Sequence, residues 1–215
     1  MLSVLDKFAS DVFFDLSRTS FKTLFNKNIP IWEVLKFLES YILSQPLGII
    51  ETDLGPNVFY NDRSLISIGL GCKIYPGVFI EGPCIIKENV EIGPGAYIRP
   101  NTLIEKGCKI GHCSEVKESI LLSDVKIPHF NYVGNSILGN RVNLGAGACC
   151  ANYKINKKEV YIKVEGQIIN TNLKKFGAII GDDSFLGCNS VTNPGTILKK
   201  ESKILPCTNL KGVYL

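Results

Sequence analysis

Every sixth residue from Ile68 onward is aliphatic: Ile74, Ile80, Ile86, Ile92, Ile98, Ile104, Ile110 and Val116 follow without a break. Four positions after each of the first eight stands a compact residue, in turn Cys72, Val78, Cys84, Val90, Ala96, Thr102, Cys108 and Ser114. The double pattern returns late in the chain, where Ile180, Leu186, Thr192, Leu198 and Ile204 are followed at plus four by Ser184, Ser190, Thr196, Ser202 and Thr208. A spacing of six is neither the period of a helix nor the alternation of a strand. It fits a chain that runs a few extended residues, turns a corner and repeats. The aliphatic side chain then points into a prism, and the compact one fits the corner. Three such flats close one coil of about eighteen residues, and stacked coils build parallel sheets about 4.8 Å apart.

The pattern resembles the hexapeptide-repeat, left-handed parallel β-helix family and so implies an all-β fold of that kind. The left hand is an implication of the resemblance, because crossover connections in general favour the right. Inside such a prism Cys72, Cys84 and Cys108 are compact fillers rather than working thiols.

Residues 1–48 read differently. "LDKFASDVFFDLSR" and "IPIWEVLKFLESYIL" carry apolar residues at three-and-four spacing, with Pro30 near the start of the second. That is the pattern of two short amphipathic helices. Trp32 is expected to pack, and the helices to cover the open end of the stack, where a bare sheet edge would otherwise invite pairing. In this division residues 49–215 form the β-helix, interrupted by an inserted loop at about 154–178. There "EVYIKV" and "QIINTN" flank Glu165–Gly166 as the arms of a hairpin would. Excursions from a regular scaffold often carry function.

Composition narrows the classes. Apolar content of 45% and a mean hydropathy of +0.14 suffice for a core, and no apolar run is long enough to span a bilayer. The apolar N-terminal stretch is interrupted by Asp6, Lys7, Asp11, Asp15 and Arg18, unlike a signal peptide. A cytoplasmic protein with reduced thiols is the expectation, and its eight cysteines form no CxxC pair. Net charge is +4, and the lysine pairs Lys157–Lys158, Lys174–Lys175 and Lys199–Lys200 are scattered without interleaved aromatics. This suits small anions and argues against nucleic acid.

Coil geometry also pairs charges. Arg99 and Lys117 each directly follow an inward aliphatic residue and stand eighteen positions apart, so they should stack on neighbouring coils. Two cations there repel unless something anionic joins them. Glu81, one coil below Arg99, is a structural partner; a phosphate held by an Arg fork and a Lys point charge is the functional alternative.

The segments "IGPGAYIRPNTLI", "EVKESI", "KIPHFNYVGNSILGNRVNLGAGACCANY" and "IIGDDSFLG" closely resemble the acetyltransferase domain of the GlmU-type glucosamine-1-phosphate N-acetyltransferase/N-acetylglucosamine-1-phosphate uridylyltransferases. They are especially similar to the archaeal sugar-1-phosphate nucleotidylyltransferase/acetyltransferase relatives. The resemblance covers about residues 65–205. It implies that His129 is the general base, that Tyr132 and Asn143 hold the sugar, and that Arg99 and Lys117 hold its phosphate. It further implies Asn152 and Tyr153 at the acetyl-CoA site, a backbone contact from Ala146 to CoA, and Lys158 as added charge near the substrate. Cys188 stands near CoA where many relatives have serine. The excursion after Tyr153 is longer than in the bacterial bifunctional enzymes, and the basic C-terminal tail they carry is expected to be absent. The implied assembly is a homotrimer with sites between neighbouring prisms.

The implied reaction is acetyl transfer from acetyl-CoA to the amine of glucosamine-1-phosphate, toward UDP-N-acetylglucosamine. Such a transfer needs a base for the amine proton and donors for the oxyanion, and no metal. A histidine titrates in the right range, and "NLGAGACCANY" offers asparagine side chains and glycine-rich backbone N–H groups. His112 reads as an outward or interfacial residue. Galactosamine-1-phosphate or another amino-sugar phosphate is an alternative acceptor, and a non-catalytic trimeric scaffold an alternative of another class. A β-helix carbonic anhydrase would need three zinc-bound histidines, and the chain has two. Residues 1–64 show no glycine-rich nucleotide loop, so uridylyl transfer is expected to be missing and a separate uridylyltransferase would be the partner.

Overall fold

The computed structural model describes residues 4–215. Its body is a three-sided left-handed β-helix whose flats align into two eight-stranded sheets and one seven-stranded sheet. Within these sheets every strand pairing is parallel. The first sheet runs from Phe59–Tyr60 through Tyr97–Ile98, Glu115–Lys117, Tyr132–Gly134 and Cys149–Cys150 to Asn209–Leu210. The second begins at Ile66–Ile68 and ends at Val213–Tyr214; the third contains Lys109–His112, Lys126–His129 and Asn143–Leu144.

The six-residue spacing has the expected cause. The aliphatic series Ile68 to Val116 fills the prism, with Cys72, Cys84, Cys108, Ala96 and Ser114 buried at its corners. Corners turn through left-handed residues such as Asn89, Asn101 and Asp124, a conformation that short polar side chains tolerate. Coil length is not constant. Ile98 pairs with Val116 eighteen residues on, but Val116 pairs with Val133 and Val133 with Cys150, seventeen apart. Those coils drop one residue at the turn where Glu118 and Asn135 take a positive φ.

The N-terminal segment departs from expectation twice. Its first stretch is not one helix: Val4–Lys7 and Ser10–Phe13 are single turns, followed by a 3-10 turn at Leu16–Arg18. Its backbone bonds the solenoid instead, with Asp15 N–H donating to Asp182 (2.7 Å) and Asp182 N–H to the Phe13 carbonyl (3.0 Å). Among the described residues only Val34–Leu43 makes a sustained helix. The segment also covers a side of the prism rather than its end. Ile85, Leu103, Ile120, Ile137, Ile179 and Ile197 form an outward aliphatic ladder on the second sheet, in register across successive coils. Phe8, Phe13, Phe14, Trp32 and Leu38 bury it. An uncovered ladder of that kind would leave a contiguous apolar strip in water. Trp32 packs edge-on against Phe8, with ring centroids 5.0 Å apart.

After Tyr153 the chain leaves the prism, and Tyr161–Val164 pairs antiparallel with Gln167–Asn170 as a hairpin. Val160, Ile162 and Phe176 join the same outer apolar cluster. The solenoid resumes at Ala178–Ile180, stacked on Ile137–Leu138.

Candidate functional site

His129 ends the strand Lys126–His129, at the corner between the third and first sheets. The corner is built by its neighbours. Phe130 takes a left-handed φ of 50°, costly for a bulky side chain, and its N–H is tied to the His112 carbonyl (2.9 Å). Asn131 is buried: its Oδ1 accepts from His129 N–H (3.0 Å), and its Nδ2 donates to the carbonyls of Gly145 (2.7 Å) and Ala148 (3.2 Å). The backbone under His129 is therefore fixed from three sides while its imidazole stays exposed. Among the described residues that ring has no hydrogen-bond partner. His112 stacks one coil below, its Nδ1 3.0 Å from the Pro94 carbonyl and its ring edge-on to Phe130.

The same corner continues upward. Gly147 N–H donates to the His129 carbonyl (3.0 Å), Asn189 N–H to the Ala146 carbonyl (2.8 Å) and Cys207 N–H to the Cys188 carbonyl (2.8 Å). His129, Ala146 and Cys188 thus lie on one stripe, and the Ala146 N–H has no acceptor among the described residues.

A cationic stripe lies on the first sheet. Arg99 and Lys117 stack on adjacent coils as their spacing requires. The acid beside Arg99 is not Glu81. Glu81 accepts the Tyr97 hydroxyl (2.6 Å), whereas the Arg99 guanidinium pairs with Glu115 (2.9 Å), which shares Arg99's side of the prism one coil up. Lys117 pairs with Glu118 (2.8 Å), whose second oxygen accepts from Asn135 Nδ2 (2.7 Å); Asn152 Nδ2 donates to Asn135 Oδ1 (2.6 Å). Burial alone would raise the Glu118 carboxyl, but these donors win and hold it below the usual carboxylate range.

Tyr132 links the two stripes, three residues after His129 and stacked on Glu115. Its hydroxyl and the Asn152 amide close over Gly134, where a Cβ would stand 2.6 and 2.7 Å from them. Any side chain at 134 would push both away. Burial first, and then the Glu115 carboxylate, push the Tyr132 phenol above its usual pKa.

Within one chain the structure brings together Arg99, Lys117, Tyr132 and Asn152, and separately His129, Ala146 and Cys188. Asn143 stands on the third sheet between Lys126 and Phe185 in the ladder. Lys158 is exposed on the insert, its N–H on Asn156 Oδ1 (3.1 Å). Neither side chain bonds the Arg99–Lys117 group among the described residues. Tyr153 is half-exposed and forms a backbone bridge to Lys175. Glu115, Glu118 and Asn135 are not marked by the sequence reading, which shows Lys175 only as a member of one of its scattered lysine pairs. Glu115 was accessible to it, since it precedes the inward Val116 as Tyr97 precedes Ile98 and Tyr132 precedes Val133. Among the described residues no group of three His, Cys, Asp or Glu side chains is placed to hold a metal ion, and no helix is long and apolar enough to cross a membrane.

Residues 80–173 match the GMPPB C-terminal domain family. A bifunctional sugar-1-phosphate nucleotidylyltransferase/acetyltransferase from Sulfurisphaera tokodaii is 37% identical over 169 residues, covering 79% of this chain and 41% of that protein. A bifunctional protein GlmU from Methanococcus maripaludis is 38% identical over 94 residues, 44% of this chain and 23% of that one. The chain therefore spans less than half the length of these relatives. Among solved structures, LpxA from Acinetobacter baumannii superposes with a TM-score of 0.45 at 16% identity, over 78% of this chain and 71% of that one.

Proposed function

We propose that this chain, homologous to part of the bifunctional GlmU-type proteins, moves an acetyl group from acetyl-CoA to the amine of glucosamine-1-phosphate. The product, N-acetylglucosamine-1-phosphate, would feed UDP-N-acetylglucosamine synthesis. The observation that carries the reading is an Arg99–Lys117 pair stacked on adjacent coils of the first sheet, with the unpartnered imidazole of His129 at the corner that leads into that sheet and Tyr132 three residues after it. In this reading Arg99 and Lys117 hold the phosphate and Tyr132 orients the sugar. His129 Nε2 or Nδ1 accepts the proton the amine loses as its nitrogen attacks the thioester carbonyl. The C–N bond forms, the C–S bond breaks, and the proton held by His129 passes to the departing sulfur, so that CoA leaves as the thiol and the imidazole is regenerated. The free Ala146 N–H lies on the His129 stripe and supports a CoA contact there, with Cys188 on the next rung and Asn152 and Tyr153 beyond the cationic stripe.

Asn143 and Lys158 fit this reading through a homotrimer, in which a neighbouring copy presents them across the cleft between prisms. Acetyl transfer is the only chemistry assigned to these residues. The proposed setting is cytoplasmic. The deciding experiment is acetyl-CoA consumption, followed by product mass, against glucosamine-1-phosphate, galactosamine-1-phosphate and other amino-sugar 1-phosphates. The expected result is turnover highest with glucosamine-1-phosphate. No turnover with any of them, together with no CoA binding, would leave a scaffold.

A further inference from the structure

The inserted segment returns to the prism beside the cationic stripe. Tyr153 and Lys175 form an antiparallel bridge, Phe176 N–H donates to the Asn152 carbonyl (2.9 Å), and Gly177 N–H to the Asn135 carbonyl (2.9 Å). Gly177 sits so close that a Cβ there would collide with the Gly134 carbonyl and the Ser136 hydroxyl. Asn135 is the residue whose side chain reaches Glu118, and Glu118 holds Lys117. These contacts seat Lys175 at the edge of the stripe that carries Lys117, near enough for the two amines to act on each other's charge.

Among the described residues no acid is ion-paired with Lys175, although the Glu118 carboxylate lies close enough to attract it. Both Glu118 oxygens are engaged by Lys117 and Asn135, and Glu115 is engaged by Arg99. The Lys117 amine pushes the Lys175 amine below the ordinary lysine range, partly opposed by the Glu118 carboxylate; Lys117 itself, against the effect of burial, is held above that range by Glu118. Backbone hydrogen bonds, not attraction between the two amines, bring them near each other. A doubly charged oxyanion between the amines would turn a repulsion into charge-assisted hydrogen bonds. Arg99, one coil below Lys117, keeps guanidinium nitrogens beyond the one on Glu115 for the same anion.

We propose that Lys175 completes a three-cation site with Arg99 and Lys117 that takes a phosphate monoester dianion, making the insert the element that selects phosphorylated over unphosphorylated amino sugars. The choice of an amino sugar rests on the function proposed above; the anion site does not.

The test uses the full chain with two probes, inorganic phosphate by calorimetry and glucosamine-1-phosphate by turnover. Lys175→Ala is expected to weaken phosphate binding and raise KM for glucosamine-1-phosphate by about 10- to 100-fold, the loss of one charged hydrogen bond. The kcat and the KM for acetyl-CoA should stay within about twofold, Lys175→Arg should recover most of the loss, and turnover of unphosphorylated glucosamine should not respond. Phosphate affinity unchanged in Lys175→Ala but lost in Lys117→Ala overturns the proposal. Should Lys175→Ala melt early, Lys175→Gln is compared with Lys175→Arg at matched stability, and equal phosphate affinities overturn it equally. If no amino-sugar phosphate is acetylated, the proposed function falls while the phosphate titration still decides the role of Lys175.

Discussion

At the scale of residues, His129 differs from His112 in what surrounds it. His112 has a ring nitrogen on the Pro94 carbonyl and Cys113 sulfur 3.4 Å from the other, while the His129 ring is free above a backbone held by Asn131. His129→Ala should therefore lower kcat by at least the ~10²-fold typical of a lost general base, with acetyl-CoA binding and melting temperature retained; near-wild-type turnover would sink the assignment. Arg99→Ala and Lys117→Ala should act on KM for the sugar phosphate, each by about 1.5–3 kcal/mol. If either instead lowers the melting temperature at unchanged KM, the Arg99–Glu115 and Lys117–Glu118 pairs are structural. Glu118 gives a pH signature. Its carboxyl pKa is depressed in the fold, so its contribution is fully present above the unfolded value of about 4.3 and is lost as pH falls through the folded value. Melting curves of Glu118→Gln should lie below wild type near neutrality and converge with it in acid; a gap constant with pH would remove the electrostatic account. The stacking of Arg99 on Lys117 was legible because eighteen residues close a coil there. The choice of Glu115 over Glu81 was not, because both flank Arg99 and only side-chain placement shows Glu81 turned to the Tyr97 hydroxyl.

At the scale of elements, the N-terminal segment shows what a repeat does not reveal. The prism interior could be read from single aliphatic residues at sixfold spacing. The outer ladder was present too, as the doublets Ile85–Ile86, Leu103–Ile104, Ile120–Leu121, Ile137–Leu138, Ile179–Ile180 and Ile197–Leu198, but only coil geometry shows that one member of each points out. Three-and-four spacing suggested a first helix, and tertiary hydrogen bonding prevailed over it. Two buried acids do that work: Asp182 accepts from Asp15 N–H and from both Asn140 donors, and Glu105 accepts from Ser20 N–H and hydroxyl, each 2.6 Å. Asp182→Ala leaves the N–H groups of Asp15 and Asn140 unmet and removes one of the two acceptors of Asn140 Nδ2, at about 1–3 kcal/mol for each donor that stays buried. A melting-temperature drop of several degrees with unchanged kinetic constants is expected. Wild-type stability would mean that the segment is held by its aromatic cluster alone.

At the scale of the whole molecule, the prism divides the eight cysteines by position. Cys72, Cys84, Cys108 and Cys150 face the interior or its corners and are buried; Cys149 is half-buried; Cys113, Cys188 and Cys207 are exposed at corners. Burial pushes the Cys84 and Cys150 thiols up to about 12 and Cys108 further still, and it raises Cys72 and Cys149 as well. Since the thiolate is the reactive form, closed coils should make these five inert. A disulfide reagent added to the native protein should thus modify no more than Cys113, Cys188 and Cys207 quickly, and all eight only in denaturant. The same count probes the proposed CoA stripe. Cys188 lies one rung beyond Ala146, so acetyl-CoA should slow its modification specifically while Cys207, one coil further along, continues to react. Peptide mapping of the labelled thiols with and without acetyl-CoA reads both effects. Rapid labelling of Cys84 or Cys108 in the native protein would show that the coils open on the labelling timescale, contrary to a stack in which each coil is sealed by the next.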